Sequence, residues 1–359
     1  MTGCPFAAAQ EFRRHGKQFA PSALLARLGE LRPAAPAGSA LAAFLDCALD
    51  KPEGRFHNRT YLALAQLERI RDGLGISPDR FATLLVADIV RHEVRGPAGA
   101  ERPDERTVRT RLRHCLRFVT GSAIDVEGEA VLAELPDPPA SPWFATTVAP
   151  VSPLHDEYFF IRALQAHEQL FTALADDVEA ATAALRAGEI AAALVRLDHA
   201  VATMDRAGVL FRIVATMQAA TFHAFREHTQ GASAIQSEQY KRFELACGPP
   251  TPARLRSDAF TSVPRVLADP PSDDLTSAYL DGTRSAPEAS AVEIGALDER
   301  IAAIEAAHQR WKGAHHGIAA RMLGDAHGSG YTAGVPYLRA CLDNRLFRLL
   351  TVERAARAA

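Results

Sequence analysis

Over most of its 359 residues the chain repeats apolar side chains at i, i+3 and i+4, and runs of alternating β-branched residues are scarce. Ala, Leu, Arg and Glu dominate the long segments, all of them good helix formers. A helix buries one such stripe against its neighbours, so the spacing predicts an all-α protein built as a helical bundle. Residues 1–55 hold short helical pieces broken by Pro33, Pro36 and Gly38. A helix is predicted from Tyr61 to Arg71, stopped by Gly73 and Gly75. Ser77-Pro78-Asp79 is an N-cap with proline in the first turn and launches a helix to Val94.

The GPAGAERP stretch at 96–103 predicts a loop, and a basic helix follows over 104–119. Its arginines, Arg106, Arg109, Arg111, Arg113 and Arg117, are interleaved with apolar residues and balanced by nearby acids. That pattern predicts a solvated face. Prolines 136, 138, 139, 142, 150 and 153 mark residues 134–153 as a linker or an extended surface segment. Beyond it the spacing predicts helices over 155–175, over 177–186 running into 188–229, and over 233–247. A long loop is expected over 248–290, then helices over 294–324 and 336–357. The chain thus reads as an extension and insertion over 1–150 followed by a helical domain over 151–359.

Forty basic and 43 acidic side chains leave a net charge of −3, which gives no reason to expect a nucleic-acid or anionic membrane surface. The five cysteines are scattered and include no Cys-x-x-Cys pair, which fits reduced thiols better than a disulfide framework. Met1–Pro5 lacks the basic and apolar runs of a secretory signal, and no apolar run is long enough to span a bilayer. A cytoplasmic location is expected.

The densest chemistry lies in His308-Gln309-Arg310-Trp311-Lys312-Gly313-Ala314-His315-His316 and the glycine-rich stretch Gly328-Ser329-Gly330-Tyr331-Thr332-Ala333-Gly334. Histidines on a helix that stops at such a loop could ligate a metal beside a place of close backbone approach. A di-iron bundle would need two Glu-x-x-His motifs on separate helices, and Glu305-Ala306-Ala307-His308 supplies one.

Four blocks together resemble the tryptophan 2,3-dioxygenase superfamily of histidine-ligated, heme-dependent aromatic oxygenases. Asp156-Glu157-Tyr158-Phe159-Phe160-Ile161 through His167-Glu168 is similar to the family's DExxFI…HQxxEL helix. Thr216-Met217 to Phe225-Arg226, followed by Ser233-Ala234-Ile235-Gln236-Ser237, is similar to its FR…SGFQSLQ segment. Trp311-Lys312-Gly313-Ala314-His315 with Gly324 and Gly328-Ser329-Gly330 is similar to its WRxxH…IG…GTGGSSG segment. Tyr61-Leu62-Ala63-Leu64 is similar to its early YLxLxxL helix.

The resemblance implies a family-type bundle in which His315 is the proximal ligand of heme iron, with the opposite face open to dioxygen. Some relatives tether the heme through a cysteine four residues after a helix histidine. Ala319 holds that position here, so the heme b is expected to be non-covalent. Trp311, Gly328 and Gly330 would lie beside the cofactor. Arg226 would pair with a substrate carboxylate, Ser329 would meet the amino-acid head group, and Phe160 and Phe222 would line an aromatic pocket. Tyr61 would come from a neighbouring subunit of a homo-oligomer, a dimer or tetramer. His308 and His316 are read as lying on other helix faces in structural roles.

Departures from the pattern carry their own implications. The family's distal histidine falls on Leu164, and His167 lies one turn on, where it could take part of that role. The connection from Gln236 to His315 is shorter than in the dioxygenases, and residues 1–55 and 68–150 are additions. The expected function is oxygenation of an aromatic amino acid, tryptophan first, to an N-formylkynurenine-type product. Monooxygenation of a tryptophan- or tyrosine-derived amino acid in natural-product biosynthesis is the alternative, and a non-catalytic heme sensor the third reading.

Overall fold

Capping residues and proline set most of the helix starts in the computed structural model, which describes residues 4–96, 101–122, 128–285 and 291–350. Every regular element among the described residues is helical. Helices α1 (Pro5–His15), α2 (Ser22–Leu31) and α3 (Ala40–Ala48) pack around Phe12, Leu24, Leu28, Phe44 and Leu45. Gly16 closes α1 at φ 80°, where a Cβ would sit 2.6 Å from the Ser152 Cα. Only glycine lets the chain lie this close, and the Lys17 and Gln18 amides then donate to the Pro150 and Val151 carbonyls at 2.7 and 3.1 Å. Lys17 turns inward and donates to Cys47 O and to both Asp50 carboxylate oxygens at 2.8–2.9 Å.

The predicted Tyr61–Arg71 helix divides in two. Ala63, at φ 48°, separates α4 (Asn58–Tyr61) from α5 (Leu64–Gly73). Helix α6 (Pro78–Arg95) begins at its proline as expected. Helix α7 (Glu105–Thr120) is capped by Asp104, which accepts from the Thr107 amide at 2.7 Å, and is closed by Gly121 at φ 77°. Residues 97–100 of the expected loop lie outside the described residues. Four of the five arginines of α7 face solvent, but Arg111 is fully buried. It stands in the buried stripe Val108, Arg111, Cys115, Phe118, whose 3-4-3 spacing turns one basic residue inward.

Residues 146–152 are not a surface linker: they are buried. Gln165 donates to the Thr147 carbonyl, and Arg162 to the Thr147 hydroxyl, at 2.8 and 2.7 Å.

Helix α8 runs unbroken over His155–Arg186, and α9 covers Ile190–Val214. The predicted 188–229 helix is interrupted at 215–218, after which α10 (Ala219–Arg226) begins. Helix α11 (Glu238–Cys247) precedes four short helices where a loop was expected: α12 (Pro252–Leu255), α13 (Asp258–Thr261), α14 (Pro264–Ala268) and α15 (Leu275–Ser285). Pro252 and Pro264 occupy first-turn positions and start helices rather than break them. Residues 286–290 lie outside the described residues. Helix α16 (Ala291–Leu323) and α17 (Val335–Cys341) complete the order. Lys312 ends α17 early by donating to the Cys341, Leu342 and Asn344 carbonyls. Residues 351–357 of the predicted last helix lie outside the described residues.

By its internal contacts the chain forms two compact units. One comprises residues 1–167, 209–236 and 318–335, the other 168–208, 237–317 and 336–359. Among the described residues no helix is long and apolar enough to cross a membrane.

Candidate functional site

In the first unit, helical spacing puts two pairs of candidate residues in register. Phe160 and Leu164 stand one turn apart on α8, both half-buried, and Phe222 and Arg226 stand one turn apart on α10. The Phe160 and Phe222 rings meet edge-on at 5.9 Å, and each lies 5.4 Å from the buried Phe225. The structure therefore brings Phe160, Phe222 and the end of α10 together as an aromatic cluster.

Arg226 is half-buried, and among the described residues its guanidinium makes neither a hydrogen bond nor an ion pair. Burial, which disfavours the charged form, lowers its pKa, and no neighbouring carboxylate raises it. Its neighbour Glu227 is exposed and makes no salt bridge with it. A guanidinium withdrawn from water without a partner is poised for an anion.

Ser329 lies on a loop docked against the segment that follows α10. The Gly231 amide donates to the Ser329 carbonyl at 3.2 Å, and a Cβ on Gly330 would fall 2.7 Å from that of Ser233. Gly328 sits equally close to Thr332, whose hydroxyl an added Cβ would overlap. Gln236 holds the other side of this segment, accepting from the Asn58 and Ser233 amides at 2.9 and 3.3 Å.

His167 and Tyr61 are engaged elsewhere. The His167 Nδ1 lies 3.0 Å from the Ala163 carbonyl one turn back, and its ring packs on Phe211. Tyr61 is buried and donates its hydroxyl to Glu157 at 3.1 Å. Glu157 also accepts from the Val151 amide and from the amide and hydroxyl of Ser152. Burial nevertheless outweighs these bonds and raises its carboxyl to about 7.

In the second unit, the buried stripe of α16 reads Leu297, Ile301, Ile304, His308 and continues through Trp311 and His315 at the same 4-3 spacing. His308 therefore shares the face of Trp311 and His315 rather than lying on another, its ring stacked 6.2 Å from the indole. It is structural: Nε2 pairs with the Tyr240 hydroxyl at 2.9 Å. Tyr240 and Phe171 pack on Trp311 at 5.5 and 5.3 Å, and Trp311 lies 5.7 Å from His315. Burial, with a contribution from His316, pulls the His315 pKa down to about 4, so its imidazole is neutral at neutral pH. Among the described residues no three His, Cys, Asp or Glu side chains converge to hold a metal. A di-iron cage finds no support there.

The tryptophan 2,3-dioxygenase family model matches residues 145–273, which carry Phe160, Leu164, His167, Phe222 and Arg226. The tryptophan 2,3-dioxygenase of Polaromonas sp. (strain JS666) is 28% identical over 232 residues, covering 55% of this chain and 79% of that protein. Over this segment the chain is similar to the tryptophan 2,3-dioxygenases. The enzyme of that name from Anaeromyxobacter sp. (strain K) is 28% identical over 242 residues, or 58% of this chain and 89% of the relative. That from Nocardioides sp. (strain JS614) is 28% identical over 233 residues, 55% and 84% of the two chains. The superfamily is one of oxygenase enzymes. Tyr61, Trp311, His315 and the Gly328–Gly330 loop lie outside the matched segment.

Two features went unread in the sequence. Tyr240 fixes both Trp311 and His308, and nothing marks it out locally. Arg111 is buried with Glu93 and Asp156, and its apolar-stripe position was the available signal.

Proposed function

We propose that the protein is a heme-dependent oxygenase that inserts oxygen from dioxygen into the ring of an aromatic amino acid, tryptophan first, giving an N-formylkynurenine-type product. The observation that carries this reading is Arg226, an unpartnered, half-buried guanidinium one turn from Phe222. Its planar fork can hold a carboxylate through two parallel hydrogen bonds, while the Phe160 and Phe222 rings receive an aromatic side chain. Ser329, on the loop docked at Gly231, would meet the amino group. Tyr61 has no role in this reading, because Glu157 holds its hydroxyl.

His315 would be the proximal ligand of a non-covalent heme b. Its fit rests on a neutral imidazole, an indole alongside and alanine at position 319, where a tether would need cysteine. When bound, the heme would supply iron able to bind dioxygen. Leu164 offers no proton acceptor, and His167 keeps Nδ1 against the Ala163 carbonyl. The substrate N–H therefore stays in place in this reading. Leu164 also supports a second reading, monooxygenation of a tryptophan- or tyrosine-derived amino acid.

The test is spectroscopic and then chemical. Ferrous, heme-loaded protein should shift its Soret band on taking carbon monoxide, and His315→Ala should abolish that native spectrum. An unchanged band and shift in the variant would sink the ligand assignment. Dioxygen-dependent consumption of tryptophan with a gain of two oxygen atoms supports the first reading. A gain of one supports the second, and an intact heme band without turnover leaves a sensor.

A further inference from the structure

Residues 215–218, which separate α9 from α10, contain neither glycine nor proline. Locally the Thr216 hydroxyl donates to the Ile213 carbonyl at 2.6 Å, and Arg111 binds the same residue from far along the chain. Its Nε donates to the Thr216 hydroxyl at 2.9 Å, and its Nη2 to the Thr216 carbonyl at 3.3 Å and to Asp156 at 2.8 Å. Nη1 donates to Glu93, and the guanidinium lies 3.6 Å above the Phe159 ring. The second Asp156 oxygen accepts the Gln218 amide at 3.0 Å, the N-cap of α10. The carbonyl and amide freed by the helix break are thus satisfied by one buried ion cluster.

Elsewhere the turn is held by buried Met217 and by Arg321, which donates to the Ala215 carbonyl at 2.7 Å. A cleft of about 560 Å³ opens against Thr216, Met217 and Gln218. At the far end of α10, Lys51 donates to the His228 carbonyl at 2.6 Å. Glu93, Arg111 and Lys51 all lie outside residues 145–273.

We propose that Arg111 is a positioning residue for Arg226: by fixing the 215–218 turn it sets the rotation of α10 that aims Phe222 and the guanidinium. The inference rests on reading Arg226 as the carboxylate anchor. Without the clamp, α9 can continue as helix through 215–218, and each added helical residue rotates the downstream chain by about 100°. Phe222 and Arg226 would then face elsewhere while the fold persisted.

Arg111→Met would strand Glu93 and Asp156 without a countercharge, a change severe enough to unfold the unit. Thr216→Val is gentler, since it keeps the shape and removes only the hydroxyl that accepts from Arg111 and donates to the Ile213 carbonyl, and Thr216→Ser restores that hydroxyl. The experiment measures equilibrium binding of L-tryptophan and of tryptamine, which lacks the carboxylate, to heme-loaded wild type, Thr216→Val, Thr216→Ser and Arg226→Ala. Wild type and Thr216→Ser should favour tryptophan by about tenfold or more, the span of a charge-assisted hydrogen bond. Thr216→Val should lose most of that preference while melting near the wild-type temperature.

If Arg226→Ala loses the preference and Thr216→Val keeps it, Arg111 positions nothing and the anchor stands. If Thr216→Ser loses it as fully as Thr216→Val, the hydroxyl bond is not the cause and the proposal fails. If Arg226→Ala keeps the preference, the anchor reading falls and takes this inference with it.

Discussion

Replacing Arg226 with methionine separates a ligand-binding arginine from a structural one. The substitution keeps the length of the stem and removes the guanidinium. Arg226 has no partner among the described residues, and burial alone lowers its pKa. The free protein therefore loses no ion pair, and a partly desolvated charge disappears. The expected change in unfolding free energy lies within about 0.5 kcal/mol of zero or on the stabilising side. Breaking a buried ion pair would instead cost about 3–5 kcal/mol. Affinity for a carboxylate-bearing aromatic ligand should fall by about 1.5–3 kcal/mol, roughly tenfold to 150-fold. Urea denaturation at constant m-value reads the first quantity, and calorimetric titration with L-tryptophan reads the second. A midpoint loss equivalent to more than about 2 kcal/mol would refute the reasoning, because it would mean that the guanidinium holds the fold.

Two further outcomes are expected from the packing near residues 150–157. Burial raises the Glu157 carboxyl to about 7, above its unfolded value, so the fold favours its protonated form. That contribution is full below about pH 4, and it is lost as pH rises through about 7. Wild type should therefore lose stability relative to Glu157→Gln between pH 5 and 7.5, and parallel urea-unfolding profiles for the two proteins would contradict this. Gly16→Ala forces a Cβ to 2.6 Å from the Ser152 Cα at φ 80°, and it should destabilise by about 1–3 kcal/mol. An unchanged thermal midpoint would show that the close approach is not needed.

Where local chemistry sets an element, the sequence predicts it well. Helix α6 begins at its expected proline, α6 and α7 keep within one residue of their expected bounds, and the Phe160–Leu164 and Phe222–Arg226 pairs lie in helical register as the spacing requires. Errors concentrate where a distant residue decides. The break at 215–218 is bonded by Arg111 and Asp156, 105 and 62 positions away from their partners Thr216 and Gln218. The early end of α17 depends on Lys312, about 30 positions back. Neither leaves a mark in the local pattern. His308 is a different kind of miss: its 3-4 spacing with Trp311 and His315 is visible in the sequence, and the stripe rule applies to it as much as to the leucines.

The clamp at Thr216 has a consequence for how such a chain can change over generations. Glu93 and Arg111 lie outside residues 145–273, while Asp156 and the turn they hold lie inside that matched segment. Once the turn leans on Arg111, deleting the helix that carries it leaves Asp156 without its cation. Losing it would then require simultaneous change on both sides. Grafting residues 145–273 onto another scaffold would carry over Asp156 without its cation.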